Sequence, residues 1–298
     1  MSESTALAAR FEAQRPRLRA LAYRMLGSLS EADDALQETW LRAERADADE
    51  IANLPGWLTT VTARVCLNLL RSRTRRREEP LDVRLPDPVV DPESGLDPEH
   101  EALLADSVGL ALLVVLDTLA PAERLALVLH DMFAVPFADV ARVLDKTPEA
   151  ARQLASRARR RVEARSVAPE PDRERQKDAV DAFLAASRRG DFDALVAVLD
   201  PDVVLRSDGG AARPALNLIL RGGRTVAGRA ATFAEFAPLA RPVLVNGAPG
   251  FVVADERGPL SVMAFTVAAD RIVAIDVLAD PERLERLGVA TLTAGPQG

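Results

Sequence analysis

Residues 137–162, FADVARVLDKTPEAARQLASRARRRV, predict a helix-turn-helix. Apolar side chains such as Val140 and Leu144 recur at helical spacing and indicate a short amphipathic helix. Thr147 can cap the start of the next helix, and Pro148 suits its first position. A short helix, a tight turn and a capped second helix pack against each other at a steep angle. The stretch therefore predicts an all-α unit with one helix turned outward.

The outward face of that second helix carries side chains that recognise DNA. Arg and Gln hydrogen-bond to the edges of guanine and adenine in the major groove, and Arg also contacts phosphates. We expect this face to hold Glu149, Arg152, Gln153, Ser156 and Arg157. Further along the helix, Arg159, Arg160 and Arg161 are expected to contact phosphates. The alternative is an ordinary αα-hairpin whose polar face is merely solvated.

Three helices are predicted in the first quarter of the chain. The first ends at Gly27. We expect Ser30 to cap the second, which runs to about Ala46. Pro55 interrupts the chain, and the third helix is predicted to begin near Trp57. Together they form a small three-helix unit.

The charge of the chain is unevenly distributed. The net charge is −7, yet residues 71–77 hold five Arg and no acid, and residues 152–165 hold six Arg and one Glu. Each basic run ends a predicted helical motif. Basic clusters on an acidic chain favour local phosphate contacts over general adhesion to DNA.

Two predicted linkers separate the helical motifs from each other and from a last part that contains both helices and strands. Prolines among acids predict an extended linker over 80–105, and a short linker follows residue 165. A helix is then predicted from about Arg173 to Arg189, ending at Gly190, with a shorter one after it. Strand patterns follow at 203–207, 251–255, 260–268 and 271–278. Helices followed by strands predict an α+β domain.

Composition excludes several classes of protein. No apolar run reaches the ~18 residues that a membrane span needs, and the first ten residues lack an apolar signal core. The single Cys66 excludes an internal disulfide and a multi-cysteine metal site. We therefore expect a cytoplasmic protein with no metal and no cofactor.

Three stretches of the helical part resemble a known family. Residues 31–46, EADDALQETWLRAERA, and residues 57–77, WLTTVTARVCLNLLRSRTRRR, resemble region 2 of bacterial sigma factors, and residues 119–162 are similar to region 4. The order and spacing resemble the extracytoplasmic-function group of the sigma-70 family. The resemblance implies core RNA polymerase and the −10 and −35 promoter elements as partners, with region 2 at 7–79 and region 4 at 106–168.

Individual residues acquire expected roles from that resemblance. A polar face of the second helix is expected to bind polymerase through Asp33, Asp34, Gln37 and Glu38. The third helix is expected to bind the −10 element through Arg64, Asn68, Arg71 and Arg75, with Arg73 on or near the same face. Asn68 can bond a base edge and the arginines can hold phosphate. Solvation alone is the alternative for the acidic face.

The last third resembles another family. Residues 181–210, DAFLAASRRGDFDALVAVLDPDVVLRSDGG, resemble the start of a SnoaL-like (NTF2-like) cone domain, expected over 174–293, and this extension is typical of a sigma-J-like subgroup. Three short motifs of that subgroup have partial matches: Leu85-Pro86-Asp87-Pro88, Asp208-Gly209-Gly210, and Asp280-Pro281-Glu282-Arg283-Leu284. Arg84 stands where the subgroup carries Trp. The resemblance implies that the domain regulates the sigma regions, and a small-molecule ligand is a possible partner.

Catalysis is the alternative for this domain, because the cone fold also hosts enzymes. Residues 174–298 contain no His, Cys or Tyr, so Asp208 or Asp276 would have to act alone. An Asp beside two glycines is more typical of a turn. We expect no enzyme activity, and the competing hypothesis is a DNA-binding regulator fused to a SnoaL-type enzyme. The terminal segment from Asp280 to Leu287 is expected to contact either the Pro-Asp-Pro linker or region 2, or only to close the sheet.

Overall fold

The computed structural model describes residues 3–46, 51–76, 83–104, 109–164 and 170–290. The chain divides into two compact units. The first, here the helical unit, comprises Met1–Pro80, Pro98–Val108 and Leu112–Ser166. The second, here the sheet unit, comprises Leu81–Asp97, Gly109–Ala111 and Val167–Gly298. The segment between the third and fourth helices therefore counts with the sheet unit.

Up to residue 163 the described part of the chain contains α-helices that form most of the helical unit. They are α1 (Glu3–Leu26), α2 (Leu29–Arg45), α3 (Leu54–Arg76), α4 (Pro98–Leu104), α5 (Leu110–Asp117), α6 (Pro121–Leu127), α7 (Phe137–Leu144) and α8 (Pro148–Glu163). A π-helical turn, Val128–Met132, extends α6. Helices α1, α2 and α3 form a three-helix group, and α6 packs on α8.

Two predicted helix starts in this unit are wrong. Ser28, not Ser30, caps α2, and its Oγ accepts from the backbone N–H of Glu31 at 3.5 Å. Gly27, at φ +67°, turns the chain so sharply that the helix restarts at once. Helix α3 begins at Leu54 rather than near Trp57, because a proline in the first turn loses no helical hydrogen bond.

The predicted linker is only partly extended. Residues 83–89 have no regular structure, and β1 (Val90–Pro92) is a strand. The expectation of an extended chain fails over Pro98–Leu104, which is α4. Pro98 occupies the first helical position, where its missing N–H costs nothing. Residues 77–82 and 105 lie outside the described part of the chain.

The sheet unit has helices before, within and after its strands. The helices are α9 (Arg173–Arg189), α10 (Phe192–Val198), α11 (Gly223–Thr232) and α12 (Pro281–Arg286). The remaining strands are β2 (Leu199–Asp208), β3 (Leu218–Arg221), β4 (Ala240–Val245), β5 (Ala248–Asp255), β6 (Gly258–Ala268) and β7 (Arg271–Leu278). The described strands form one seven-stranded sheet in the order β1-β4-β5-β6-β7-β2-β3.

The sheet is antiparallel except where β2 pairs in parallel with β7. Its core lies between one face of the sheet and helices α9, α10 and α11, around Phe183, Phe251, Phe265 and Ile275. The four predicted strands are confirmed, within wider bounds. Strands β1, β3 and β4 are absent from the prediction, since they are short and gain their order from distant partners.

The lone thiol lies inside the helical unit. Cys66 is buried in α3, and burial raises the pKa of its thiol to about 12. Since the thiolate is the reactive form, we expect native protein at pH 8 to react with a disulfide reagent only as fast as it unfolds. The proton's contribution to stability is present below the unfolded pKa of ~8.5 and is lost as the pH rises towards about 12. Labelling at the rate of a free thiol would contradict this placement.

Candidate nucleic-acid interface

The turn between α7 and α8 is built by local backbone chemistry. Asp145 adopts the left-handed conformation, φ 54° and ψ 49°, and ends α7. Thr147 Oγ1 then accepts from the backbone N–H of Ala150 at 3.2 Å, and Pro148 begins α8. The predicted helix-turn-helix, including its cap, is confirmed.

Helix α8 presents the expected face to solvent. Its buried side consists of Ala151, Leu154, Ala155 and Ala158. The side chains exposed on the other side are Glu149, Arg152, Gln153, Arg157 and Arg160, with Ser156 half-buried. The Arg152 guanidinium lies 5.6 Å from the centroid of the Phe137 ring and 3.3 Å from Glu149. This contact leaves its outer edge available.

A buried carboxylate orients the arginines of α8. Glu123, on α6, accepts from Arg157 Nε at 3.1 Å and from Arg161 Nη1 at 2.6 Å. Arg159 is paired with Asp131 at 2.6 Å. Glu123 is not among the residues expected from the sequence, because 34 and 38 residues separate it from its partners. Arg157 is therefore held by the buried Glu123, whereas Arg152 contacts Glu149 and Phe137.

Helix α3 presents a second basic face. Arg64, Asn68 and Arg71 are exposed and recur at helical spacing along one row. Arg75 follows on the same row of the backbone, and its side chain lies outside what the structure describes. Arg73 does not belong to this face: its Nη1 donates to the carbonyl of Leu26 at 2.9 Å. Arg73 also pairs with Glu31, so it joins α3 to the helices before it.

The two basic faces belong to helix groups that are in contact within the helical unit. Arg124 on α6 is 2% exposed, and its Nε donates to the carbonyl of Arg24 on α1 at 3.0 Å. Arg17 Nη2 donates to the carbonyl of Phe133 at 3.1 Å. Arg64 Nη2 itself donates to the carbonyl of Arg142, on α7, at 2.9 Å. The described conformation therefore holds α3 against the helix-turn-helix.

The acidic face of α2 is partly neutralised. Asp33 pairs with Arg19 and Glu38 with Arg42, both at 2.8 Å. Asp34 and Gln37 are exposed between them. This face projects from the three-helix group on the side away from the buried Leu36.

Within the sheet unit, one arginine unites the three short motifs. Arg283 on α12 is 6% exposed. It donates to Asp87 at 2.8 Å, to Asp208 Oδ2 at 2.6 Å and to the carbonyl of Leu85 at 2.7 Å. Asp208 Oδ2 also accepts from the backbone N–H of Leu85 at 2.8 Å. We call Leu85, Asp87, Asp208 and Arg283 the clasp.

Further contacts extend the clasp along the linker. Strand β1 pairs with β4, so that Val90 lies opposite Val245. The backbone N–H of Val89 donates to Asn246 Oδ1 at 3.1 Å, and Lys177 pairs with Glu93 at 2.7 Å. Pro86 and Pro88 are buried on either side of Asp87, and Arg84 is exposed. Helix α12 was expected to contact the linker or region 2, or only to close the sheet. Its Arg283 contacts the linker, and its Leu284 is buried in the core.

The two glycines after Asp208 lie where any side chain would clash, Gly210 with the residue that caps α12 and Gly209 with the loop that follows it. A Cβ at Gly210, where φ is +62°, would lie 2.1 Å from Asp280 Oδ2. A Cβ at Gly209 would lie 2.2 Å from the carbonyl of Arg213. Asp280 caps α12 by accepting from the N–H groups of Glu282 and Arg283, and Pro281 begins the helix. Both glycines are therefore needed for close packing.

The two carboxylates of the catalytic alternative, Asp208 and Asp276, both bond to arginines. Asp208 belongs to the clasp. Asp276 is buried and accepts from Arg206 Nη1 at 2.6 Å; burial raises the pKa of Asp276, and Arg206 opposes that shift. Over the described ranges, no group of three or more His, Cys, Asp or Glu residues could hold a metal ion. Within those same ranges no helix is both long and apolar enough to cross a membrane.

Comparison with known proteins agrees with this geometry. Residues 10–76 match the Sigma-70 region 2 family and residues 109–162 match the Sigma-70, region 4 family. The chain is 42% identical over 218 residues to the ECF RNA polymerase sigma factor SigJ of Mycobacterium tuberculosis, covering 72% of this chain and 69% of that protein. It is 34% identical to the probable ECF RNA polymerase sigma factor SigI of the same species, covering 96% and 98%.

The architecture also has a counterpart among solved structures. The crystal structure of Mycobacterium tuberculosis SigJ aligns with a TM-score of 0.77 at 35% identity, covering 93% of this chain and 98% of that one. At that coverage the alignment includes residues of both the helical unit and the sheet unit. The chain therefore belongs to the extracytoplasmic function (ECF) group of RNA polymerase sigma factors.

Proposed function

We propose that this sigma factor reads the −35 promoter element with α8 and the −10 element with α3, as a subunit of RNA polymerase. The observation that carries the proposal is the pair of basic faces, Arg152 to Arg160 and Arg64 to Arg71, on two helix groups of one chain. An Arg–Gln face suits base edges, and a row of arginines suits a phosphate backbone. The polymerase that it joins would place the protein in the cytoplasm.

In the described conformation α3 contacts the helix-turn-helix, and we call this the closed conformation. It suggests that the two helix groups must separate for this function. The −35 and −10 elements are named for positions about 25 base pairs apart, which is on the order of 80 Å at ~34 Å per helical turn. Helix α3 touches the helix-turn-helix in the described conformation through Arg64 and Arg142. Both elements can be read together only after the two helix groups separate. Core polymerase would supply the binding energy for that step.

We also propose that the sheet unit modulates activity by holding the linker. Residues 77–97 join α3 to α4, and their stretch from Leu85 to Pro92 is fixed by the clasp and by β1. A free chain reaches ~3.3–3.6 Å per residue, so fixing eight residues shortens the span available for separation. The clasp would therefore restrain opening. We propose functional boundaries of 7–79 for region 2, 80–105 for the linker, 106–168 for region 4 and 174–293 for the regulatory domain.

The alternative, a regulator fused to an enzyme, has less support. Both candidate carboxylates are bound to arginines, and neither lines the cavity of the sheet unit. We propose that the sheet unit has no catalytic role. A small-molecule ligand in that cavity is compatible with regulation and is taken up below.

Reconstitution with core polymerase tests the proposed function. The full chain and core RNA polymerase should elute as one complex, and footprints on genomic promoter fragments should need both. A DNA-binding regulator would instead footprint its site alone and stay apart from polymerase. That second outcome would contradict the proposal.

We expect Arg152→Ala to weaken transcription in a sequence-selective manner. A direct base contact is worth ~1–3 kcal/mol, so the preference for one base of the −35 element should fall by about tenfold or more. Arg160→Ala, expected to lose a phosphate contact, should weaken all promoters alike and serves as the matched control. Arg157→Ala should resemble Arg152→Ala. An unchanged −35 preference in both variants would mean that α8 faces the DNA differently.

We expect reversal of Asp34 and Glu38 to lower affinity for core polymerase. The two positions lie one helical turn apart on α2 and present one acidic face. Asp34→Lys with Glu38→Lys should weaken core binding in a titration while the circular dichroism spectrum stays native. Glu12→Lys, an exposed acid on α1, is the control. Unchanged affinity would reduce the face to solvation.

A further inference from the structure

The sheet unit contains a partly open apolar cavity that the sigma function leaves unexplained. It has a volume of about 340 Å³, which lies in the range of ~300–1,000 Å³ typical of small-molecule sites. Its wall includes Phe183, Leu205, Phe236, Phe251 and Met263. Most of its surface is hydrocarbon, so an occupant must itself be largely apolar.

One polar group in the wall lacks a partner. Ser187, on α9, is 6% exposed, and its Oγ forms no hydrogen bond with any residue that the structure describes. Buried hydroxyls on helices usually bond to a carbonyl of the preceding turn. Thr39 does so with Ala35 at 2.7 Å, and Thr62 with Leu58 at 2.9 Å. An unpaired buried hydroxyl is costly, so Ser187 marks the place where a ligand would offer a polar atom.

The charges of the wall restrict the kind of polar atom. Among its lining residues are Arg213 and Arg229, and none is acidic. Arg213 Nη1 donates to the carbonyls of Leu260 and Ala279 at 3.0 and 3.1 Å, which fixes it in the wall. Arg229 lies 4.5 Å from the ring centroid of Phe233, a side chain that is 38% exposed. A cationic ligand would share the cavity with two positive charges and no negative one, whereas a neutral or anionic ligand would not be repelled.

We propose that the cavity binds an apolar molecule of about ten carbons whose single polar end is a hydroxyl or a carboxylate. The terminal oxygen hydrogen-bonds to Ser187 Oγ, and the hydrocarbon chain packs on the aromatic and aliphatic wall. The proposal concerns binding alone, and it stands whether or not the occupant controls the sigma regions.

Calorimetric titration of the full chain with three probes of one length tests the site. Decan-1-ol and decanoic acid should bind, and decylamine should bind at least about tenfold more weakly because of the two arginines. Ser187→Ala should lower the affinity for decan-1-ol by about three- to tenfold, the effect of one lost hydrogen bond. Its melting temperature without ligand should not fall, since the hydroxyl removed has no partner.

A second variant keeps the test decisive. Ala230 on α11 lines the cavity and its neighbour Ala231 does not, so Ala230→Trp should abolish binding and Ala231→Trp should preserve it. If Ala230→Trp fails to fold, the Ser187→Ala titration decides alone. Failure of both oxygen-bearing probes to bind, or equal binding of all three with no effect of Ser187→Ala, would overturn the proposal. Neither polymerase nor DNA is present, so the result is independent of the proposed sigma function.

Discussion

Cross-linking α3 to the helix-turn-helix should abolish promoter-dependent transcription. Thr60 on α3 and Asp139 on α7 line one cleft of about 260 Å³ in the helical unit. A short, cleavable bis-maleimide between Thr60→Cys and Asp139→Cys would hold the closed conformation. Since the two promoter elements lie on the order of 80 Å apart, a locked chain can engage only one of them. We expect the run-off transcript to fall by at least about tenfold, in proportion to the cross-linked fraction.

The cross-linking experiment contains its own controls. Cys66 is buried and its pKa is raised, so it should not compete for the reagent. Each single-cysteine variant treated with the same maleimide should keep its activity. Reductive cleavage of the linker should restore the double variant. Full activity of the locked protein would show that the helix groups need not separate.

Arg283→Ala should release the linker and raise transcription. Its loss removes the guanidinium that pairs with Asp87 and Asp208, carboxylates that are only 7% and 4% exposed. Breaking a buried ion pair in this way costs about 3–5 kcal/mol. The amides of the non-proline residues in this stretch, Leu85, Asp87, Val89, Val90 and Asp91, should therefore exchange with solvent at least about a hundredfold faster, since ~1.4 kcal/mol is tenfold. Freed from the clasp, the linker allows wider separation, and transcript yield at limiting polymerase should rise several-fold.

Arg286→Ala is the matched control for the clasp. Arg286 lies on the same short helix but is exposed, so its removal should change neither exchange nor transcription. If Arg283→Ala accelerates exchange but leaves transcription unchanged, the clasp is structural only. If exchange is also unchanged, the contacts of Arg283 do not hold the linker.

Features governed by local chemistry were predictable from the sequence. The turn between α7 and α8 depends on Thr147 and Pro148, which act within three residues, and its bounds were confirmed. The cap of α2 was placed two residues late, because Ser28 and Ser30 both have a capping hydroxyl. Only the left-handed turn at Gly27 decides between them. Its effect on where the helix restarts cannot be judged from residue type alone.

Features that depend on distant partners were not predictable. Strand β1 exists because Val90 pairs with Val245, across 155 residues of chain. Glu123 was not among the expected residues, and Arg73 was expected on the wrong face of its helix. Each forms its hydrogen bond with a residue on another helix. The clasp was only partly predictable. Resemblance identified its three motifs separately, but the bonds of Arg283 that join them needed the fold.

Sequencing of transcript 5′ ends shows whether this chain selects promoters for RNA polymerase. Core RNA polymerase alone, and core with the full chain, would transcribe fragmented genomic DNA in parallel. We expect new start sites that appear only with the chain, each preceded by a shared pair of elements near −35 and −10. With Arg152→Ala the preferred −35 element should shift. No new start sites, together with site-specific binding of the chain to DNA without polymerase, would contradict it.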